Sequence, residues 1–174
     1  MMISPIIFRE YDIRGVFEKD FDLAFAQQLG FAFTCFCREK NPAKHTRFAI
    51  GMDARLSSPA IANAVARGMS EASADVVMLG LVTTPMSYFS TFELPGIEGA
   101  VMITGSHNPP EYNGYKLSVG RKTIFGEDIQ ALKNFMQAKI PVQTPGKIKS
   151  HSLNEMYVER YKREFNDLSG VKVV

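Results

Sequence analysis

Along this chain the apolar positions alternate between short continuous runs and stripes at helical spacing. From Asp22 they recur at Phe25, Leu29, Phe33 and Phe36, an i, i+4, i+8, i+11 series that predicts a helix with one buried face. Asn41-Pro42 predicts its end, because a residue before proline avoids helical backbone. Upstream, IIFREYDI at 6–13 reads as a first strand that stops where Arg14-Gly15 allows a sharp turn. Downstream, RFAIGMD at 47–53 reads as a second strand. Ser58-Pro59 then predicts a capping serine with proline at the first helical position, continued by Ile61, Val65 and Met69. DVVML at 75–79 is a third predicted strand, and Thr84-Pro85 repeats the cap-plus-proline signature ahead of Met86, Phe89 and Phe92. IEGAVMIT at 97–104 and GYKLSV at 114–119 predict a fourth strand and a returning fifth. Glu127 and Asp128 suit the positive end of a helix carrying Ile129, Leu132, Phe135, Met136 and Ile140, closed by Pro141.

This alternation of strands and helices predicts an α/β fold: a three-layer α/β/α domain whose mostly parallel mixed sheet is covered by helices on both faces. Residues 141–152, with two prolines, a glycine and no apolar period, read as a linker. The expected division is a first domain over 1–150, carrying the TGSHNPP loop at 104–110. A linker helix (154–165) and a strand (171–174) of a truncated second domain would occupy 151–174. A terminal strand needs partners, so a longer polypeptide is expected. In open α/β sheets ligands bind beyond the carboxyl ends of the strands. Four motifs fall at such ends: Arg14-Gly15, Asp53-Ala54-Arg55, Thr83-Thr84 and TGSHNPP.

Charge narrows the partners. With 20 basic and 18 acidic residues among 174, the net charge of +2 gives no broad field for nucleic acid or an anionic membrane, so any anion must be gripped locally. The start, MMISPIIFRE, lacks a basic leader and reaches Arg9 and Glu10 after a short apolar run, unlike a signal peptide or a membrane span. Cys35 and Cys37 lie two apart on a predicted helix, where they cannot bridge, and the expected setting is reducing and cytoplasmic.

The candidate chemistry centres on the loop. Ser106 follows a glycine after a buried run, with Pro109-Pro110 stiffening the exit, which suits a hydroxyl presented as nucleophile or as carrier of a transferred group. A nucleophile elbow would need glycine at 108, which is asparagine, and no phosphate-cradling P-loop motif occurs. In an extended loop, His107 would point away from Ser106 and face a substrate hydroxyl, where an imidazole can take or give a proton near neutral pH. Lys116 would return beside the loop on the fifth strand, and Arg14 offers a planar fork that matches phosphate. Bland readings compete: Ser106-His107 as turn chemistry, Lys116 as a solvated strand residue, Arg14 paired with an acidic neighbour, Tyr11 as packing. Asp53 and Arg55 read as a structural pair. Taken alone, these residues describe an anion-handling serine loop on an α/β rim.

FREYDIRG at 8–15, GMDARLSS at 51–58 and ITGSHNPPEYNGYK at 103–116 together closely resemble the first domain of the α-D-phosphohexomutases, on the bacterial phosphomannomutase/phosphoglucomutase branch. The resemblance covers roughly residues 6–150. It implies a mutase that interconverts hexose 1-phosphate and hexose 6-phosphate, of mannose or glucose, through a phosphoserine and a hexose 1,6-bisphosphate. It further implies that Ser106 carries the phosphoryl group, that His107 and Lys116 act in proton transfer and charge stabilisation, and that Tyr11 and Arg14 line the cleft. A magnesium ion would be held by the oxygen of Ser106 and by a D-G-D-G-D-R loop that this sequence lacks. The expected partners are hexose phosphates and missing C-terminal domains of the same polypeptide, without which the chain would be inactive. A non-catalytic sugar-phosphate-binding module and a phosphoglucosamine or pentose mutase are the alternatives.

Overall fold

The computed structural model describes residues 5–41, 46–137, 144–165, 167 and 169–173. A 3-10 turn at Pro5–Ile7 leads into β1 (Ile13–Val16), α1 (Leu23–Lys40), β2 (Arg47–Met52), α2 (Ser58–Glu71), β3 (Asp75–Leu81) and α3 (Thr84–Glu93). Then follow β4 (Gly99–Ile103), β5 (Tyr112–Val119), β6 (Lys122–Thr123), α4 (Glu127–Phe135), β7 (Ile148–Ser150) and α5 (Asn154–Glu164). The sheet has seven strands in the order β1-β5-β4-β2-β3-β7, with β6 paired to β5. β4, β2, β3 and β7 run parallel, whereas β5 is antiparallel to β4, β1 and β6, so the sheet is mixed.

The period-two rule assigns each strand residue to a face. Phe48, Ile50, Val76, Val101, Ile103, Tyr115 and Leu117 join the apolar stripes of α1, α2 and α4 in one core. Ala49, Val77, Leu79, Ala100 and Met102 face Met86, Phe89 and Leu153 on the opposite side, under α3 and the start of α5. These are the three expected layers. Aromatic rings from α1 anchor the larger core, with Phe25 against Tyr115 at 6.0 Å and Phe33 against Phe48 at 5.2 Å between ring centres.

Several elements depart from the pattern reading. The run at 6–13 is not one strand: an Arg9–Asp12 turn, closed by the Arg9 amide on the Asp12 carbonyl at 3.0 Å, folds Phe8 back to bridge Ile13. Ile7 and Phe8 are buried while Arg9, Glu10 and Tyr11 loop outward, so β1 begins at Ile13 and contains Arg14-Gly15. Ser57 rather than Ser58 holds the N-cap position of α2, without a capping bond from its side chain, and the Ser58 hydroxyl donates to Asp53 at 2.6 Å; Thr83 rather than Thr84 precedes α3. Part of the presumed linker is strand β7, which extends the parallel edge beside β3. Residues 171–173 are exposed and not in a strand, as no neighbour among the described residues pairs with them. The expected ends at Pro42, Ile140, Pro141 and Val174 lie outside the described residues.

α1 and α2 cross with their backbones in contact. A Cβ on Gly68 would lie 1.8 Å from the Gln27 carbonyl oxygen, and one on Gly30 would lie 2.1 Å from that of Val65. Gln27 ties the crossing further by donating to both carboxylate oxygens of Glu71 at 2.8 and 2.9 Å. Alanine in place of glycine favours a helix by about 1 kcal/mol, but here it would drive two backbones apart, and overpacking typically costs about 1–3 kcal/mol. Gly68→Ala is therefore expected to destabilise the fold by up to about 2 kcal/mol net, read as a lower urea midpoint at unchanged slope.

Candidate active site

The carboxyl ends of β2 and β4 and the amino end of β5 meet at one edge of the sheet, because β5 runs antiparallel to β4. The 104–111 loop spans β4 and β5 at that edge. Its start is fixed by Asp53, which follows β2. The Asp53 carboxylate accepts from the Gly105 amide at 3.1 Å, the Arg55 amide at 3.1 Å, Arg55 Nε at 3.2 Å and the Ser58 hydroxyl at 2.6 Å. Ser58 also accepts from the buried Asn113 side chain at 2.9 Å, so the N-terminus of α2 is tied to β5 through the same cluster. Partial burial pushes the Asp53 carboxyl upward, but the donors from Ser58, Arg55, Thr104 and Gly105 outweigh it and hold the group below the usual aspartate range.

Arg55 crosses beneath the loop. It donates to the carbonyls of Asn108 at 2.6 Å, Ser106 at 3.1 Å, Pro109 at 2.5 Å and Tyr112 at 3.0 Å. Its guanidinium passes so close to Gly105 that a Cβ there would lie 2.3 Å from Arg55 Cζ. The structural-pair reading of Asp53 and Arg55 holds, and the pair reaches into the serine loop.

Ser106 is exposed and takes a left-handed backbone conformation, with φ of 55°. Its amide donates to Thr104 Oγ1 at 2.9 Å, and the Asn108 amide closes the turn on the Gly105 carbonyl at 3.1 Å. This corrects the expectation of an extended loop that sends Ser106 and His107 apart. The turn brings Ser106 Oγ to 3.4 Å from His107 Nδ1. Positive φ at the serine rotates the following side chain back toward its neighbour, which simple strand alternation does not anticipate.

The cations stand one strand away. Arg14 on β1 lies opposite Gly114, and Lys116 on β5 lies opposite Met102. Both reach the carboxylate of Asp12: Arg14 Nη2 bonds Oδ2, and Lys116 Nζ sits 3.8 Å from the same oxygen. Asp12 and Arg14 are nearly buried, with 10% and 9% of their side chains exposed, while Lys116 keeps 25% and can reach solvent. Arg14 Nη1 extends to Asn108 Oδ1 at 3.5 Å, linking the pair to the serine loop. Arg14 Nε is buried with no hydrogen-bond partner among the described residues. Asp12 is thus the acidic neighbour that the plainer reading of Arg14 expects, and its spacing of two from Arg14 places both on one side of an extended segment.

Tyr11 is 70% exposed on the turn before β1, and among the described residues no hydrogen bond ties it to the loop. Thr83 and Thr84 share the strand-end edge beyond β3 and start α3, again without such a bond. A groove of about 630 Å³ beside Ser106 is lined by Phe17, Asp53, Arg55, Leu56, Asn108 and Glu111. A second hollow, of about 590 Å³, lies at the opposite end of the strands, lined by Cys37, Thr91, Glu98 and Arg121 and by none of the candidate residues. Among the described residues no group of three or more His, Cys, Asp or Glu could hold a metal ion. Magnesium takes about six hard oxygens, and the single hydroxyl of Ser106 does not make such a site within this chain. No helix among the described residues is long and apolar enough to cross a membrane.

Because Asp53 ionises more readily in the folded than in the unfolded chain, its contribution is complete above the unfolded aspartate pKa and is lost as pH falls through the lower folded value. Hydrogen bonds to charged groups contribute about 1.5–3 kcal/mol, so Asp53→Asn is expected to cost about that much at neutral pH. Urea unfolding of both proteins across an acid series should show this gap narrowing below about pH 4, as the wild type also loses the anion.

Comparison with known proteins agrees with this geometry. Residues 5–141 match the family described as phosphoglucomutase/phosphomannomutase, alpha/beta/alpha domain I. The chain is 44% identical over 130 residues to a phosphoglucomutase of Neisseria gonorrhoeae, an alignment covering 75% of this chain and 27% of that protein. It is 33% identical over 176 residues to a phosphomannomutase/phosphoglucomutase of Pseudomonas syringae pv. tomato, covering 99% of this chain and 37% of that one. A crystal structure of a phosphoglucomutase/phosphomannomutase family protein from Burkholderia thailandensis superposes with a TM-score of 0.84 at 35% identity, over 94% of this chain and 36% of that one. The chain thus spans about a third of the length of these relatives. With its loop between β4 and β5 and its mixed sheet between two helical layers, the chain belongs to the phosphoglucomutase/phosphomannomutase family, as its α/β/α domain I.

Proposed function

We propose that this chain is the phosphoserine-bearing part of a mutase that interconverts hexose 1-phosphate and hexose 6-phosphate, of mannose or glucose, with Ser106 as the carrier. The observation that carries the proposal is the arrangement around one hydroxyl. An exposed Ser106 Oγ stands 3.4 Å from an imidazole nitrogen, on a loop joined through Asn108 to the Arg14–Asp12–Lys116 cluster. In the proposed transfer the bond from phosphorus to Ser106 Oγ breaks as a bond from phosphorus to a sugar hydroxyl oxygen forms, and His107 takes the hydroxyl proton and passes it to the departing Ser106 Oγ. In the return step Ser106 Oγ bonds to the other phosphorus of the bisphosphate, its proton passes to His107, and that proton goes to the sugar oxygen freed as the old phosphorus–oxygen bond breaks. Lys116 and Arg14 stabilise the charge that gathers on the transferring oxygens.

Tyr11 belongs to the proposal as a cleft-lining residue, its exposed ring being available to a sugar face. Magnesium belongs to it as a partner of the Ser106 oxygen whose other ligands come from outside this chain. The remainder of the active cleft would come from further domains of the same polypeptide, entered through residues 151–174. A cytoplasmic setting fits the two unbridged cysteines, Cys35 and Cys37.

Incubation of the complete polypeptide with glucose 1,6-bisphosphate and magnesium, followed by intact-mass measurement, is expected to add one phosphoryl group to the wild type and none to Ser106→Ala. His107→Ala is expected to slow uptake about 100-fold or more, and Lys116→Ala about 100- to 1,000-fold. Stoichiometric binding of the bisphosphate by the complete polypeptide with no adduct on Ser106 would overturn phosphotransfer in favour of a binding module.

A further inference from the structure

We infer that Arg55 is a positioning residue for Ser106, fixing the direction of its hydroxyl by holding the loop's carbonyls without touching the hydroxyl. The part of this inference that concerns phosphoryl uptake rests on the function proposed above. A guanidinium has five N–H donors in a rigid planar fork. In this structure five acceptors meet them: Asp53 Oδ2 at Nε, the Pro109 and Tyr112 carbonyls at Nη1, and the Ser106 and Asn108 carbonyls at Nη2. No donor is left for a phosphate, which separates Arg55 from Arg14, whose Nε is buried and unpartnered among the described residues. The four carbonyls come from both sides of the Ser106-His107 turn and from the first residue of β5, so one planar group sets the shape of the whole loop.

Gly105 is the complement of this arrangement. The guanidinium occupies the space where a side chain at 105 would begin, at 2.3 Å from Cζ and 2.4 Å from Nε. The stretch Gly105-Ser106 is thus small-then-polar for a reason beyond turn formation: the arginine passes directly under it. Asp53 aligns the fork through Nε and simultaneously holds the Gly105 amide, so the clamp and the loop share one anchor.

Arg55→Lys tests the clamp, since an ammonium keeps the charge but has three donors and no planar fork. Gly105→Ala tests it independently by displacing the guanidinium. Hydrogen exchange at the Ser106, Asn108 and Tyr112 amides reports loop order, because all three are hydrogen-bonded within the loop. Both variants are expected to exchange these amides about tenfold faster or more, with β2 and β3 as protected as in wild type. Phosphoryl uptake by Ser106 from glucose 1,6-bisphosphate is expected to fall about 100-fold in rate, as misplacement by about 1 Å can cost. The half-saturating donor concentration should stay within about threefold, since all five Arg55 donors are taken by the protein. Wild-type exchange in Arg55→Lys would overturn the inference, as would faster exchange with undiminished uptake. If the complete wild-type polypeptide itself takes up no phosphoryl group, the proposed function fails, and exchange in the two variants still decides whether Arg55 fixes the loop.

Discussion

A loop that doubles back within eight residues leaves more carbonyl oxygens than its own amides can serve, and in this domain one guanidinium serves the surplus. That guanidinium stays in place because Asp53 holds it, and Asp53 stays charged because four donors surround it. Burial alone would favour the neutral acid. The donors reverse that preference, and the three residues that supply them have different structural duties: Ser58 at the start of α2, Arg55 under the loop, Gly105 at the exit from β4. One carboxylate therefore ties two parallel strand ends and a helix start to the segment that presents Ser106.

The electrostatics of the site are local in the same sense. A chain with a net charge of +2 spreads no field strong enough to gather phosphorylated sugars. Instead Arg14 and Lys116 converge on Asp12, two cations against one anion, which leaves one positive charge beside the serine loop. Asp12 keeps the cations from repelling one another across a nearly dry edge. In the proposed transfer Lys116, the more exposed of the two, is the one that shifts toward an anion on the serine or the sugar. The strand register does the rest: β5 runs antiparallel to both β1 and β4, so residues far apart in sequence face one another across neighbouring strands.

Much of this was legible in the sequence, and the parts that were not share a physical cause. The Phe25-Leu29-Phe33-Phe36 stripe located α1, and the Asp22 carboxylate caps it by accepting from the Phe25 amide. Apolar runs located β2, β3 and β4, and β5 returns beside β4 as predicted, carrying Lys116 to within 3.8 Å of Asp12. What failed was governed by partners remote in sequence or by backbone handedness. The run at 6–13 looked continuous because its polar tripeptide Arg9-Glu10-Tyr11 can sit on a strand face or in a turn, and only the burial of Phe8 against Phe25 selects the turn. β7 is a strand because β3 offers it an edge, a fact that its three residues, Ile148-Lys149-Ser150, do not carry by themselves. Arg55 acts across more than fifty positions of sequence, so its spacing revealed a pair with Asp53 and nothing of the loop beyond.

The serine conformation joins these strands of argument. A non-glycine residue in the left-handed region carries a cost of about 1–2 kcal/mol, and nothing in the local sequence removes it. Hydrogen bonds contribute about 0.5–1.5 kcal/mol each. The turn at Ser106 has its amide on Thr104, the Asn108 amide on Gly105, and two carbonyls on Arg55, enough to offset the strain with a margin of the same order. Without the arginine two of these four bonds are lost, and the remaining two, about 1–3 kcal/mol together, only about match the strain. The strained turn sets Ser106 Oγ against His107 Nδ1 instead of on the opposite side of an extended chain. Two residues adjacent in sequence thereby become two groups able to share a proton, and their adjacency acquires chemical meaning from a side chain fifty residues away.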